Sequence, residues 1–190
     1  MKVSWQQLLD DIYAYDKCRL CAGRQNAVPG EGDAHAKLMF IGEGPGHDED
    51  VQGRPFVGRS GELLNRMIAA IGLTREQAYI CNIVKCRPPQ NRNPEPDEAQ
   101  ACLPYLRAQV ALVRPKIIVL LGKVACRYTL NQDISVMRDH GKWFERKGVW
   151  FMPTYHPSAL LRDPTKKRDA WEDFQKIRDK LSELEMEKDT

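Results

Sequence analysis

Residues 38–64 read LMFIGEGPGHDEDVQGRPFVGRSGELL. The first four, Leu38-Met39-Phe40-Ile41, are an apolar run that reads as a buried strand. Seven glycines and prolines then fall within the seventeen residues 42–58. Gly42, Gly44, Pro45 and Gly46 form one tight turn, and Gly53, Pro55 and Gly58 frame a second. Glycine allows left-handed angles and close approach of a ligand, whereas proline stiffens the path. A bent, stiffened loop at the carboxyl end of a strand is where open α/β sheets bind ligands. Beyond it, Ser60 is placed to cap a helix with Leu63, Leu64, Met67, Ile68 and Ile71 inward, ended by Gly72.

The rest of the chain repeats this alternation. Upstream, Ser4 can cap a helix with Trp5, Leu8, Leu9 and Ile12 on one face, followed by a loop over 22–36. Downstream, 79–84 reads as a second strand and 116–121 as the plainest buried one. Between them Pro96 opens a helix reaching about Val113, which Pro104 should kink or restart. A short helix follows Gly122-Lys123. Residues 143–146 and 149–153 read as strands joined at Lys147-Gly148, and 154–162 as a loop with a short helical piece. Pro164 begins a last helix, to about residue 186, with Trp171, Phe174, Ile177, Leu181 and Leu184 inward and a frayed end. Strands alternating with helices imply a mostly parallel sheet covered on both faces.

With 190 residues and 42% apolar content, the chain can bury one sizeable core, and residues 1–190 read as one domain. No run of eighteen apolar residues exists, so no membrane span is expected, and Asp10 and Asp11 do not suit a signal peptide. A cytoplasmic location follows. The net charge of +3 does not argue for nucleic acid by itself. Three basic groups beside strand ends are more suggestive: Lys85 with Arg87 and Arg92; Arg54 with Arg59; Arg162 with Lys166, Lys167 and Arg168.

Six cysteines without a secretory signal favour metal or cluster ligation over disulfides. Cys18, Cys21, Cys86 and Cys102 could supply four thiolates to zinc or to an iron–sulfur cluster. Cys81 and Cys126 read as small packed residues. A redox role for Cys18 and Cys21 expects them at a helix N-terminus after a strand, and here the pair follows a helix.

Taken in order, Gly42-Glu43-Gly44-Pro45-Gly46, then GRPFVGRSGELL, then Asn82-x3-Cys86-Arg87-Pro88-Pro89, then His156-Pro157-Ser158, with the four cysteines, closely resemble family 4 uracil-DNA glycosylases over residues 16–163. No single motif carries the likeness; the ordered set does. The resemblance implies a three-layer α/β/α sandwich around a four-stranded parallel sheet. It also implies a [4Fe-4S] cluster on Cys18, Cys21, Cys86 and Cys102, zinc being the alternative. The implied activity is release of uracil from single- or double-stranded DNA, leaving an abasic site. A monomer is the default expectation, and the sequence names no repair or replication partner.

By the same likeness, Phe56 stacks on a flipped uracil. The Asn82 amide, with a donor and an acceptor, reads O4 and N3–H. A neutral His156 donates to O2 of the leaving anion. Glu43 helps shape the pocket, with the water-activating group left open. Gly44 stands where related families place a water-orienting aspartate, and Gly46 where they place a tyrosine against C5. Gly42 belongs to the same motif, and Glu49 resembles a residue near C5. Leu160 matches a wedge that fills the vacated stack. Ser158 and Arg162 would hold phosphates, as would Lys123 at a helix N-terminus and Arg87 beside Cys86. A DNA-binding scaffold without excision is the rival, against which stand Phe56, Asn82 and His156. A covalently trapping relative would carry a histidine-containing loop after Asn82; Cys86–Arg92 contains none.

Overall fold

The parallel core of the sheet is explained by which strand residues face which helices. In a computed structural model describing residues 3–130 and 133–186, the strands are β1 Glu31–Gly32, β2 Leu38–Gly42, β3 Tyr79–Asn82, β4 Ile117–Leu121, β5 Phe144–Arg146 and β6 Val149–Thr154. The helices are α1 Trp5–Ala14, α2 His47–Gln52, α3 Arg59–Ala70, α4 Pro96–Val113, α5 Lys123–Thr129, α6 Val136–Asp139, α7 Pro157–Arg162 and α8 Lys167–Met186. Every residue of β2, β3 and β4 is buried. Along β2, Met39 and Ile41 join one core with Leu103, Leu106 and Ala125, whereas Leu38 and Phe40 join another with Leu64, Ile68, Phe174 and Ile177. Alternate residues thus feed α4 and α5 on one face and α3 and α8 on the other, which makes three layers. Full burial of one such side chain is worth about 1.5–3 kcal/mol, so a charge at Phe40 or Ile68 would break the layering.

The sheet order is β1-β3-β2-β4-β6-β5. Its central four strands pair in parallel, as expected. Two antiparallel edges extend it to six among the described residues. The β5–β6 edge is the hairpin read at Lys147-Gly148, where Lys147 has φ 52° and Gly148 φ 77°. The two-residue β1 falls within the stretch expected as loop, since Glu31-Gly32 is too short to show a period.

Other expectations are corrected. Helix α3 begins two residues earlier, at Arg59, with Gly58 rather than Ser60 at its N-cap. Helix α4 is assigned as continuous through Pro104. Trp171 is 39% exposed on α8 rather than inward, while Phe174 and Ile177 take the core positions. The fraying expected after residue 186 lies outside the described residues. No described helix is long and apolar enough to cross a membrane.

Candidate active site

All four central strands deliver their carboxyl ends to one cavity of about 610 Å³. After β2 come Glu43, Gly44, Pro45 and Gly46; β3 ends in Asn82; Gly122 and Lys123 follow β4; Tyr155 and His156 follow β6. This is the crevice that open parallel sheets use for ligands. Phe56, Glu49, Ser158 and Arg162 line it too, so Phe56, Asn82 and His156 meet in one place.

The Phe56 ring is 4% exposed, and its centroid lies 5.4 Å from that of His156 at 31° between planes. Its backbone sits at φ 49°, costly for a phenylalanine. Two contacts hold it there. Arg75 donates from Nη1 to the Phe56 carbonyl at 2.8 Å and from Nη2 to the Pro55 carbonyl. Gly61 of α3 leaves room for that carbonyl, which any Cβ would strike. Gly42 is needed for the same kind of reason: its Cβ would lie 2.5 Å from both Asn82 Oδ1 and Phe56 Cζ. Amide and ring therefore flank a single point.

Asn82 is 1% exposed and its Oδ1 has no hydrogen-bond partner. Such an orphaned acceptor costs about 1–3 kcal/mol. A ligand donor that enters the cavity repairs it.

His156 closes β6 and caps α7. Its Nδ1 faces the Ser158 backbone N–H at 3.1 Å and the Ser158 hydroxyl at 2.7 Å. The backbone N–H can only donate, so Nδ1 is an acceptor and the neutral ring carries its proton on Nε2. Burial, helped by the Arg162 charge, pushes the imidazole pKa down to about 4. The ring is neutral near pH 7 and still holds one N–H to offer. Gly122 at φ 93° would bring a Cβ to 3.0 Å from that of His156.

The two lining carboxylates differ. Glu49 accepts from the backbone N–H groups of Gly46, Val57 and Gly58 at 3.0–3.1 Å. It ties the two turns of the long loop together. Among the described residues nothing hydrogen-bonds the Glu43 carboxylate; burial raises its pKa, and Arg162 opposes the rise.

The residues expected to meet DNA are placed unevenly. Lys123 and Arg162 are exposed and line the cavity. Ser158 lines it as well, with its hydroxyl turned to His156 Nδ1. Arg87 binds Asn91 Oδ1 at 2.8 Å and is absent from the lining. Leu160 is corrected: at 1% exposure it packs with Leu63, Tyr155 and Ala170, because α7 turns that side inward, so it is not a surface wedge in this conformation. Lys85 is corrected too, being buried rather than part of a basic surface, and Arg54 and Arg92 are spent on Glu31 and Glu98. Lys166, from the third basic group, lines the cavity as well, and Tyr155, Asn91 and Asn93 line it unforeseen; single polar residues outside a recognised motif gave no signal.

Beside β3 the four singled-out cysteines lie near one another. Cys21 Sγ is 3.8 Å from Cys86 Sγ. Cys18 and Cys102 are buried, and each has Cys21 among its electrostatic neighbours. Arg24, missed in the sequence, donates to Cys86 Sγ at 3.0 Å and to the Tyr13 and Tyr15 carbonyls at 3.0 Å. Burial pushes the Cys86 thiol up to about 12, against the lowering effect of the Arg24 guanidinium. Among the described residues no three His, Cys, Asp or Glu side chains are arranged for a single ion. Cys81 and Cys126 are fully buried in the core.

Residues 29–175 match the model of the Uracil DNA glycosylase superfamily. The chain is 45% identical to a type-4 uracil-DNA glycosylase of Sulfurisphaera tokodaii over 93% of its length and 84% of the relative's. It is 45% identical to one of Saccharolobus solfataricus over 92% and 85%, and 41% identical to one of Archaeoglobus fulgidus over 92% of both chains.

Proposed function

Since this chain belongs to the uracil DNA glycosylase superfamily and is similar to its type-4 members along nearly its whole length, we propose that its cavity holds one uracil flipped out of DNA and hydrolyses the bond to its sugar. The protein is a uracil-DNA glycosylase of base excision repair. The observation that carries the residue assignment is the buried, partnerless Asn82 Oδ1 beside the Phe56 ring and the His156 imidazole.

Stacking on Phe56 replaces the stacking lost on flipping, a cost of about a few kcal/mol. Asn82 Oδ1 accepts from uracil N3–H and its amide N–H₂ donates to O4. Cytosine offers the reverse pattern and leaves both unpaired. When the C1′–N1 bond breaks, its electron pair goes to uracil, and His156 Nε2–H donates to O2, where the charge collects. Water then bonds to C1′. Glu43, the carboxylate with no hydrogen bond among the described residues, is available to orient that water and take its proton. Glu49 holds the loop that carries the wall near C5. Lys123 and Arg162 take phosphates at the rim.

We assign Cys18, Cys21, Cys86 and Cys102 to a [4Fe-4S] cluster, supported by the nearness of Cys86, Cys18 and Cys102 to Cys21; it would fasten the 85–95 loop to the N-terminal segment without electron chemistry on the base. Protein purified without air should be brown, with roughly four irons and four sulfides per chain. Colourless protein with zinc would assign the site to that metal. We read the chain as a cytoplasmic, monomeric, one-domain enzyme.

The test of the activity is incubation with single- and double-stranded oligonucleotides holding one uracil, then alkaline cleavage. Scission at the uracil position supports the reading; intact strands with excess enzyme overturn it.

A further inference from the structure

A lysine is almost never fully buried unless paired, yet Lys85 is 2% exposed, three residues beyond Asn82. Its Nζ donates to the Asn82 backbone carbonyl at 2.7 Å and to Gln109 Oε1 at 2.7 Å. Gln109, fully buried on α4, donates from Nε2 to the Pro29 carbonyl at 2.6 Å and to the Tyr79 hydroxyl at 3.1 Å. The Lys85 main chain is held as well. Its carbonyl accepts from Val28 N–H at 2.8 Å, and its N–H donates to the Cys102 sulfur. The ammonium therefore joins the end of β3, helix α4 and, through Gln109, the segment before β1.

We propose that Lys85 is a positioning residue for base recognition: held by Gln109 from behind, its ammonium fixes the Asn82 main chain and so sets the direction in which the Asn82 amide faces the cavity. An amide whose Oδ1 is buried without a partner lowers its energy by shifting toward water. It stays aimed at the place of the base only if the backbone beneath it cannot follow. A buried donor on a buried carbonyl is a strong restraint of that kind, because parting them would leave both groups without partners. The inference rests on the uracil reading of the cavity and assigns Asn82 a support that neither motif nor strand pattern discloses.

A double-mutant cycle separates positioning from general support. Single-turnover uracil release from single-stranded DNA, with enzyme in excess, is measured for wild type, Lys85→Met, Asn82→Ala and the double variant. Lys85→Met should slow release on the order of tenfold when Asn82 is present, but less than about twofold when it is absent, because contacting residues couple. Equal losses in both backgrounds would show that Lys85 only maintains the fold, and would overturn the inference while leaving the activity intact. Should Lys85→Met fail to fold, Gln109→Leu goes through the same cycle; it frees the ammonium from behind and must show the same non-additivity. Wild-type protein that releases no uracil would overturn the cavity reading and this inference together.

Discussion

His156→Ala should slow uracil release on the order of 10²- to 10³-fold, the usual loss when one preorganised donor to a developing anion is removed. Melting temperature should fall by only about a few degrees, the cost of losing the α7 cap that Nδ1 forms with the Ser158 N–H. The pH profile identifies the form that acts. With the imidazole pKa pushed down to about 4 and Nδ1 filled by Ser158, the neutral ring is present across pH 5–8. The rate should therefore not fall as pH rises from 5 to 8 through any loss of imidazolium. A fall centred near pH 6.5 would mean that the charged ring is the donor. The stability linkage has its own sign. The folded-state pKa lies below the unfolded one, so the unfolded chain binds the proton first as pH drops. This stability is full above about pH 6.5 and is lost as pH falls toward the folded value of about 4. Ser158→Ala leaves the backbone N–H donor in place and should have the smaller effect of the two.

How far the sequence discloses this site depends on what kind of information each residue carries. Leu38–Ile41 and Ile117–Leu121 are apolar without interruption because both faces of the sheet are covered, and their strand character is legible in one dimension. The convergence of Phe56, Asn82 and His156 follows from that layout, since Asn82 ends a strand, His156 stands just past one and Phe56 lies in the loop after another. Leu160 shows where the reading stops. Its place in the motif says nothing about which side of α7 faces inward, and packing against Leu63 and Ala170 decides it. Lys85 fails for a similar reason: beside Arg87 and Arg92 it looks like one more surface charge, and only Gln109, twenty-four residues on, shows it to be internal. Glu49 in the acidic run Asp48-Glu49-Asp50 resembles a solvated carboxylate, yet three backbone donors from two turns meet on it. The φ of 49° at Phe56 is invisible in the letters, although Gly61 and Arg75, which make it possible, are both there to be read.

Asn82→Ala should slow uracil release about 10²-fold or more while leaving the melting temperature within a few degrees of wild type. The two halves of this expectation have one cause. In the empty cavity the Asn82 oxygen is buried and unpaired, so the folded protein bears a cost of about 1–3 kcal/mol that alanine removes. Against that stands the packing lost when a fully buried side chain is shortened, and the two offset. In the complex the balance reverses. Two hydrogen bonds to uracil vanish, and the base's N3–H and O4 are left buried without partners, which is the most costly way to lose a polar contact. The discrimination should move with the rate. With no amide to favour one pattern of donors and acceptors, alanine should reduce uracil excision toward the background seen with cytosine without raising the latter, because nothing at residue 82 then satisfies either base. Rates are to be measured in single turnover on otherwise identical strands, with melting followed by circular dichroism. A large fall in melting temperature together with the rate would mean that Asn82 serves the end of β3 and not the base. A rate within threefold of wild type would remove Asn82 from recognition altogether.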